Sequence, residues 1–252
     1  MPRAIVFDCD GVLADTERDA HLVAFNQVFA ENGLALRWDD QEYGRLLKVG
    51  GGKERLLAYF TPERAQRWGL PADDEGRKAL FVQWHRRKSE IFTELIRGGS
   101  VPARPGVRRL IDEALTLGWQ VAVASTSAEP SVRAVLEHAV GPARAGEVSV
   151  FAGDVVAAKK PAPDIYLLAV NSLRAEPSTT FVVEDSAVGL AAARAAGLST
   201  LVTPSTYTVN DDFSGAVAVV SDLGEPDAPA TVIRDDLGLV TGGVVTAANL
   251  AR

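Results

Sequence analysis

The segment Ala4-Ile5-Val6-Phe7-Asp8-Cys9-Asp10-Gly11, close to the start of the 252-residue chain, decides the fold. Its apolar first half predicts a short buried strand, and Gly11 permits the turn that ends it. Asp8 and Asp10 are two residues apart, so an extended backbone directs both side chains to one side. Carboxylate oxygens suit a hard cation such as Mg²⁺, and a carboxylate can also attack phosphorus. The alternative is an acidic turn with no catalytic or metal-binding role, and later segments of the chain have to distinguish these two interpretations.

Three later segments place polar residues at the ends of predicted elements. Apolar runs end at Ser125 and at the pair Glu184-Asp185, and Lys160 directly precedes a proline turn. In open α/β sheets, ligands bind beyond the carboxyl ends of the strands, beside the point where the strand order reverses. We therefore expect Asp8, Ser125, Lys160 and Asp185 to converge.

The chain after Gly106 alternates between helical and strand-like patterns, which predicts a parallel sheet with helices on both faces. The predicted strands are 119–125, 148–152, 180–184, 199–203 and 216–221. The predicted helices are 106–118, 130–140, 163–174 and 186–196. Residues 4–8 supply the first strand, so the expected fold is a doubly wound α/β core. The tail after Asp222 is richer in Gly, Pro, Asp and Ala, and it predicts no more than a short terminal strand or helix.

Residues 15–100 differ from the rest, because helical spacing of apolar residues continues through them without strand-like alternation. The predicted helices are 17–32, 39–47, 53–60, 62–68 and 73–96. We expect an all-α cap domain over 15–100, inserted into a core formed by 1–14 and 101–252. A cap rooted directly after the first strand would close over the catalytic end, exclude water and limit the substrate to a small molecule.

Composition narrows the classes of function. The net charge of −7 argues against a nucleic acid partner, although a local basic pocket can still bind an anion. Cys9 is the only cysteine, so no intrachain disulfide can form, which fits a reducing compartment. No run approaches the ~20 apolar residues that span a bilayer, and we expect no targeting segment before the first strand. We expect a cytoplasmic monomer without membrane or nucleic acid partners.

Four motifs occur in a fixed order along the chain: Asp8-x-Asp10, Ser125, Lys160 and Glu184-Asp185. In type and order this set resembles the motifs of the haloacid dehalogenase superfamily of phosphotransferases. Two stretches, 7–19 and 46–55, resemble more narrowly the CbbY-type branch of that superfamily. The resemblance implies a Rossmannoid core, Mg²⁺ and a phosphoaspartate intermediate. It also implies the activity associated with that branch, a xylulose-1,5-bisphosphate phosphatase that removes an inhibitory sugar bisphosphate from Rubisco metabolism.

The roles that the resemblance implies agree with what phosphoryl transfer needs. Asp8 is the expected nucleophile, and Asp10 is the expected general acid and base. Ser125 and Lys160 are expected to bind the phosphoryl oxygens, which carry negative charge during transfer. The expected metal ligands are Asp8, Asp10, Glu184 and Asp185. The alternatives are a ligand role alone for Asp8, a helix N-cap at Ser125 and a solvated turn lysine at Lys160.

A second group of residues is expected to contact the substrate. Its members are Glu17, Gly51, Gly52, Lys53, Arg55, His85, Arg87, Lys88, Thr126 and Ser127. Glycine permits close backbone approach, and the basic side chains suit a second, non-transferred phosphate. The alternatives are a plain inter-helix loop at Gly51 and Lys53, a solvated helix face at His85, and a helix-dipole role for Glu17.

The leading hypothesis is a Mg²⁺-dependent sugar-phosphate phosphatase, with xylulose 1,5-bisphosphate as the small phosphorylated sugar. One alternative is a phosphatase for another phosphosugar, and another is a sugar phosphomutase similar to β-phosphoglucomutase. The mutase shares the first chemical step, because the two activities differ in what discharges the phosphoaspartate. A third alternative is a phosphate-binding scaffold without turnover. The acids at Asp10 and Glu184-Asp185 argue against a dehalogenase, which needs no metal.

Overall fold

The computed structural model describes residues 3–251, which divide into two compact units. The chain up to Thr16 and from Val101 onward forms the first unit, and Glu17–Ser100 forms the second. The first boundary falls after Thr16 rather than after residue 14. The reason is that the Thr16 hydroxyl donates to Asp10 Oδ1 over 2.5 Å, which ties this residue to the first unit.

A seven-stranded sheet forms the centre of the first unit. Its strands are β1 (Ala4–Phe7), β2 (Gln120–Ser125), β3 (Ser149–Ala152), β4 (Thr180–Glu184), β5 (Ser199–Val202), β6 (Ala218–Val220) and β7 (Val232–Asp235). The spatial order is β3-β2-β1-β4-β5-β6-β7, and β1 to β6 run parallel. The predicted doubly wound α/β core is confirmed. The sheet departs from the parallel arrangement at one edge, where β7 runs antiparallel to β6.

Helices occur in both units. Those described are α1 (Val23–Glu31), α2 (Asp40–Leu46), α3 (Gly52–Tyr59), α4 (Pro62–Arg67), α5 (Asp74–Arg97), α6 (Val107–Thr116), α7 (Glu129–Val140), α8 (Pro142–Ala145), α9 (Asp164–Leu173), α10 (Ala187–Ala195) and α11 (Ala247–Leu250). In the first unit, α6, α7, α9 and α10 pack against strands of the sheet, and β1 is completely buried. Within residues 3–251, no helix has both the length and the apolar character needed to cross a membrane.

The elements described in the second unit are all helices, as its apolar spacing predicts, and short loops join them. A π-helical turn, Glu17–Leu22, leads into α1, so the single helix expected over 17–32 is divided in two. The core of this unit is a cluster of aromatic rings in mutual contact. Phe29 packs edge-on against Trp38, Phe60 and Trp84. Aromatic side chains bury large areas each, which suits a small helical unit.

The tail after Asp222 is more structured than the sequence indicates. Besides β7 it contains a hairpin of β8 (Val240–Thr241) and β9 (Val244–Val245), followed by α11. Strands of two to four residues carry too little periodicity to be predicted, and their register depends on contacts distant in sequence. One such contact is made by Arg109 on α6, which donates to backbone carbonyls of the tail.

Candidate active site

The parallel register brings three strand ends to one edge of the sheet. Phe7 at the end of β1 lies opposite Val183 of β4, and the backbone N–H of Asp8 donates to the Val183 carbonyl over 2.9 Å. Ser125 ends β2 on the other side of β1, and Glu184 ends β4. Residues that directly follow or end these strands therefore share one location, as expected at the carboxyl edge of a parallel sheet.

Three carboxylates form a tight group at this edge. Asp8, Glu184 and Asp185 each offer an oxygen atom, and these atoms lie within 4.8 Å of one another. The three residues are 8%, 1% and 6% exposed. Among the residues that the structure describes, the carboxylate of Asp10 does not belong to this group. A ligand role for Asp10, through its backbone oxygen, stays a prediction.

Lys160 neutralises part of this charge. Its Nζ donates to Asp8 Oδ1 over 2.6 Å, to Glu184 Oε1 over 2.7 Å and to the Ala124 carbonyl over 3.1 Å. The ammonium also lies 4.7 Å from the ring centre of Tyr166, whose hydroxyl donates to the same Glu184 oxygen. Lys160 is therefore a largely buried partner of the carboxylates, with a side chain 9% exposed, and not a solvated turn lysine. Lys159 lies at the surface side of the turn, where it pairs with an exposed acid.

Burial and mutual repulsion perturb the acids. Burial, together with the charges of Glu184 and Asp10, raises the pKa of Asp8 to about 7 although Lys160 opposes the shift. Burial also raises the pKa of Asp185 well above its usual range, and the charges of Glu184 and Asp8 add to this effect. For Lys160, burial favours the neutral amine, but Asp8 and Glu184 outweigh it and raise its pKa. The site thus holds more negative charge than one ammonium can offset.

This charge excess and donor set fit a hard divalent cation. All three ligand groups offer oxygen, which Mg²⁺ prefers, and a dication would relieve the repulsion that raises the pKa values of Asp8 and Asp185. Gly11 also contributes, because a Cβ there would lie 2.2 Å from Asp185 Oδ2. Only glycine, here with a φ of +86°, leaves space for that carboxylate. Glycine at position 11, in the turn after β1, therefore leaves room for the carboxylate of Asp185, which directly follows β4.

Asp10 is held by two hydroxyl groups. Thr16 Oγ1 donates to its Oδ1, and Ser127 Oγ donates to its Oδ2, both over 2.5 Å. Two hydrogen bonds fix the orientation of this half-exposed carboxylate without neutralising it. A fixed, partly exposed carboxylate is suited to exchange a proton with a bound molecule. Ser127, which is predicted to bind the substrate, therefore contacts Asp10 in this structure, and its contact with the substrate stays a prediction.

Ser125 is buried at the end of β2, and its Oγ accepts a hydrogen bond from the Ser127 backbone N–H over 3.1 Å. It does not cap the following helix, because α7 begins after Ala128. The alternative of an N-cap role is therefore wrong. Thr126 follows Ser125 in the same turn and is partly exposed. These positions leave a phosphoryl-binding role for Ser125 and Thr126 as a prediction.

In the second unit, Glu17, Tyr43 and Arg55 form a cluster. The Tyr43 hydroxyl donates to Glu17 Oε2 over 2.5 Å, and Arg55 Nη1 donates to that hydroxyl over 2.8 Å. Arg55 Nη1 is also 3.9 Å from Glu17 Oε2. Arg55 was expected as a positive charge for the substrate, but it is buried and also donates to the Leu46 carbonyl. Leu46, Tyr43 and Glu17 all belong to the same unit as Arg55.

The basic residues of α5 do not form one cluster. Arg87 pairs with Glu31 through Nε at 2.9 Å and Nη2 at 3.0 Å, so it faces acidic side chains. Lys88 is buried, and its Nζ contacts His21 Nδ1. Arg87 and Lys88 therefore have different partners, because a helix directs adjacent residues to different faces. Substrate binding by His85, Arg87 and Lys88 stays a prediction.

The start of α3 lies against His85. A Cβ on Gly52 would lie 2.6 Å from the His85 ring, so a glycine is needed for this contact. Gly51 precedes the helix with a φ of +92°, and Lys53 lies in its first turn. Gly51, Gly52, Lys53 and His85 are therefore neighbours in the structure, as their common assignment to the substrate requires.

Sequence reasoning missed four residues that support the site: Arg104, Tyr166, Ser205 and Thr208. Tyr166 donates to Glu184, while Ser205 and Thr208 donate to Asp185 Oδ2. Tyr166 lies in the first turn of α9, six residues after Lys160, and this spacing is the one signal that could have suggested it. The others lie in segments without periodicity.

A parallel sheet with buried acids and a lysine at its carboxyl edge defines an enzyme of the phosphoryl-transfer class. The chain belongs to the haloacid dehalogenase-like hydrolase family, whose profile matches residues 2–197. It is a hydrolase of the phosphatase type within that family.

Within the family, the chain is similar to CbbY proteins. The CBBY-like protein of Arabidopsis thaliana is 50% identical over 230 residues, which cover 90% of this chain and 70% of that protein. The crystal structure of CbbY from Rhodobacter sphaeroides in complex with phosphate is 40% identical and has a TM-score of 0.79, covering 88% of this chain and 95% of that chain. A mutant of the same protein, crystallised with xylulose-(1,5)bisphosphate, is also 40% identical with the same coverage, and its TM-score is 0.78. The predicted CbbY-type resemblance is confirmed.

Proposed function

We propose that the chain is a Mg²⁺-dependent phosphatase of small phosphosugars that acts through a phosphoaspartate on Asp8. The observation that carries this proposal is the position of Asp8, buried at the end of β1 and bonded to Lys160 over 2.6 Å. Glu184 and Asp185 lie beside it and complete an oxygen-only metal site. Nucleophile, cation and metal ligands are the parts that phosphoryl transfer to a carboxylate needs.

In the first step, an Asp8 oxygen forms a bond to phosphorus and the ester bond between phosphorus and the sugar oxygen breaks. Lys160 stabilises the ionised carboxylate before attack, since it opposes the rise in the Asp8 pKa that burial causes. Asp10 donates a proton to the departing sugar oxygen, and Thr16 and Ser127 hold its carboxylate for that transfer. The products of this step are the phosphoaspartate and the free sugar hydroxyl.

In the second step, water discharges the phosphoaspartate. Asp10, now ionised, takes a proton from the attacking water, the bond from phosphorus to the Asp8 oxygen breaks, and inorganic phosphate leaves. The same residue therefore serves as acid and then as base, and the cycle ends with Asp8 ionised and Asp10 protonated. Ser125 and Lys160 are the proposed donors to the phosphoryl oxygens in both steps.

Mg²⁺ would be held by Asp8, Asp185 and a backbone oxygen of Asp10, with Glu184 as a further ligand or as the acid that orients Lys160. When bound, the cation supplies positive charge that stabilises the phosphoryl oxygens during transfer. Without a cation, Asp8 and Asp185 retain part of their charge repulsion, and their carboxylates favour protonation.

For the substrate, we propose xylulose 1,5-bisphosphate. The support is the likeness to a CbbY protein whose mutant was crystallised with xylulose-(1,5)bisphosphate. Gly51, Gly52, Lys53 and His85 are the residues of the second unit proposed to bind the phosphate that is not transferred. The monomeric state, the cytoplasmic location and the lack of a nucleic acid partner stay predictions.

The test is a phosphate-release assay with Mg²⁺ over ketose and aldose mono- and bisphosphates, combined with acid quenching and mass spectrometry of the protein. We expect release from xylulose 1,5-bisphosphate, xylulose 5-phosphate as the product, and a phosphorylated peptide that contains Asp8. Efficient isomerisation of β-glucose 1-phosphate, with negligible phosphate release from every bisphosphate, would instead identify a mutase. No reaction with any phosphosugar would contradict both activities.

A further inference from the structure

Arg104 makes an unusual set of contacts for an arginine of an acidic protein. Its guanidinium donates to four backbone carbonyls and to no carboxylate among its hydrogen-bond partners in the described residues. Nη1 donates to Gly11 and to Thr203, the latter over 2.8 Å. Nη2 donates to Pro204 over 2.9 Å and to Ser221. One side chain therefore connects the turn after β1, the segment after β5 and the segment after β6.

Two of these connected segments border Asp185. Gly11 lies so close to this acid that a Cβ would be 2.2 Å from Asp185 Oδ2. Ser205, which directly follows Pro204, donates its hydroxyl proton to Asp185 Oδ2 over 2.6 Å. Thr208 donates to the same oxygen over 3.3 Å. Arg104 thus holds the backbone on both sides of one carboxylate to which it donates no hydrogen bond, although its charge acts on that carboxylate and lowers the Asp185 pKa against the effect of burial.

We propose that Arg104 is a positioning residue that orients Asp185 for Mg²⁺ through Gly11 and the loop 203–208. The inference rests on the proposed function, because it concerns the metal of that site. Groups that orient a ligand without touching the metal commonly change metal affinity by about 10- to 100-fold when they are removed. Arg104 acts in this way through the backbone that carries Ser205.

The geometry requires arginine and not only positive charge. A guanidinium offers five N–H donors in a planar fork, whereas the lysine ammonium offers three donors from a single atom. Four carbonyls at Arg104 use the donors of both terminal nitrogens. An R104K variant keeps the charge but cannot keep this set of bonds, so it separates positioning from electrostatics.

The chain offers a matched control in Arg109. This side chain also donates to backbone carbonyls, namely those of Leu223, Gly224 and Val245. Its carboxylate partners are Glu113 and Glu225, so its contacts hold the tail and not Asp185. An R109K variant therefore loses a similar set of bonds in the same unit without disturbing the proposed metal site.

The experiment measures Mg²⁺ affinity directly, by calorimetry on wild type, R104K, R109K, S205A and the R104K/S205A double variant. We expect wild type to bind Mg²⁺ and R104K to bind it about tenfold more weakly. R109K should bind Mg²⁺ like wild type even where its melting temperature falls. The double variant should bind little more weakly than either single variant, because both changes act on the same oxygen of Asp185.

The outcomes separate this inference from the proposed function. Absence of Mg²⁺ binding in wild type contradicts the proposed metal site itself. Three results would overturn the positioning role and leave the proposed function standing. They are wild-type Mg²⁺ affinity in folded R104K, a loss of Mg²⁺ affinity in R109K equal to that in R104K, and fully additive losses of Mg²⁺ affinity in the double variant. If R104K does not fold, S205A still decides, because the proposal requires the loop 203–208 as well as Gly11, and unchanged Mg²⁺ affinity in S205A would show that the loop does not orient Asp185.

Discussion

Lys160 Nζ lies 2.6 Å from Asp8 Oδ1, and the two side chains, which are only 9% and 12% exposed, form an ion pair at the carboxyl edge of the sheet. The residues are 152 positions apart in the chain, so only the fold brings them together. A buried ion pair is costly to break, because removal of one partner leaves the other charge without compensation. Here the pair also controls whether the proposed nucleophile is ionised.

Replacement of Lys160 should shift the pH dependence of the reaction. Because Lys160 lowers the pKa of Asp8 against the effect of burial, K160A should raise that pKa further, and a protonated carboxyl cannot attack. Activity should therefore fall more at pH 6 than at pH 9, and the acidic limb of kcat/KM should move to higher pH. K159A is the control, since Lys159 pairs with Asp154 over 3.2 Å outside this pair. An equal loss of activity in K160A at all pH values would leave Lys160 with a phosphate-binding role only.

Asp8→Asn should abolish turnover and leave the fold intact. The amide is isosteric, but it cannot form a phosphoaspartate. Burial raises the pKa of Asp8, and Lys160 keeps Glu184 as its carboxylate partner over 2.7 Å when Asp8 is replaced. The neutral amide should therefore also maintain or increase the melting temperature of the metal-free protein. Phosphate release and thermal unfolding, measured on one preparation, check both statements. Retention of more than a few per cent of activity in the folded variant would exclude Asp8 as the nucleophile.

The metal-free protein should lose stability as the pH rises. The pKa of Asp8 is 3.8 in its ordinary state and about 7 in the fold, so the folded state binds this proton more tightly than the unfolded state. The corresponding stabilisation is complete below about pH 4 and is lost as the pH rises through 7. Asp185, whose pKa is also raised, adds in the same direction.

Mg²⁺ should reverse this loss, because it binds the ionised acids. The increase in the protein's melting temperature that Mg²⁺ causes should therefore be larger at pH 8 than at pH 5. Asp185→Ala should reduce that increase together with activity, and chelation with EDTA should abolish activity reversibly. An equal effect of Mg²⁺ at both pH values would contradict binding at these acids, and full activity after exhaustive chelation would contradict a catalytic metal.

Much of this site could be predicted because its residues follow strands directly. An apolar run that ends in acids or hydroxyls identifies both the strand and the edge of the sheet where its next residue lies, as at Asp8, Ser125 and Glu184. The doubly wound core follows from the alternation of helices and strands. These features are local in sequence, so periodicity and turn residues are sufficient to find them.

The rest depends on contacts that no local pattern encodes. Arg104 donates to Gly11 across 93 positions, and Arg87 pairs with Glu31 across 56 positions. The antiparallel edge strand β7 is likewise short and partly exposed, so it lacks the apolar alternation that predicts a strand. Side-chain partners at such distances are set by the packed structure and become visible only there.

The residues of the second unit determine substrate choice in our proposal, and Lys53 tests it. A sugar bisphosphate has two phosphate groups, and in our proposal the positive charges near Asp8 bind only the phosphate that is transferred. Lys53 lies in the first turn of α3, next to Gly52 and its contact with His85. A charge-assisted contact is worth roughly 1.5–3 kcal/mol, or about ten- to a hundredfold in kcat/KM. We expect K53A to lower kcat/KM for xylulose 1,5-bisphosphate by that factor.

The same substitution should matter much less for p-nitrophenyl phosphate, because this substrate lacks the second phosphate and never makes the contact. K78A is the matched control, since Lys78 is an exposed lysine of α5 in the same unit. Binding energy distant from the reacting phosphate can also assist a conformational step, so kcat is expected to fall together with a rise in KM for the bisphosphate. Equal losses on both substrates would assign Lys53 to stability or to such a step, whereas no loss on either would remove Lys53 from the substrate site.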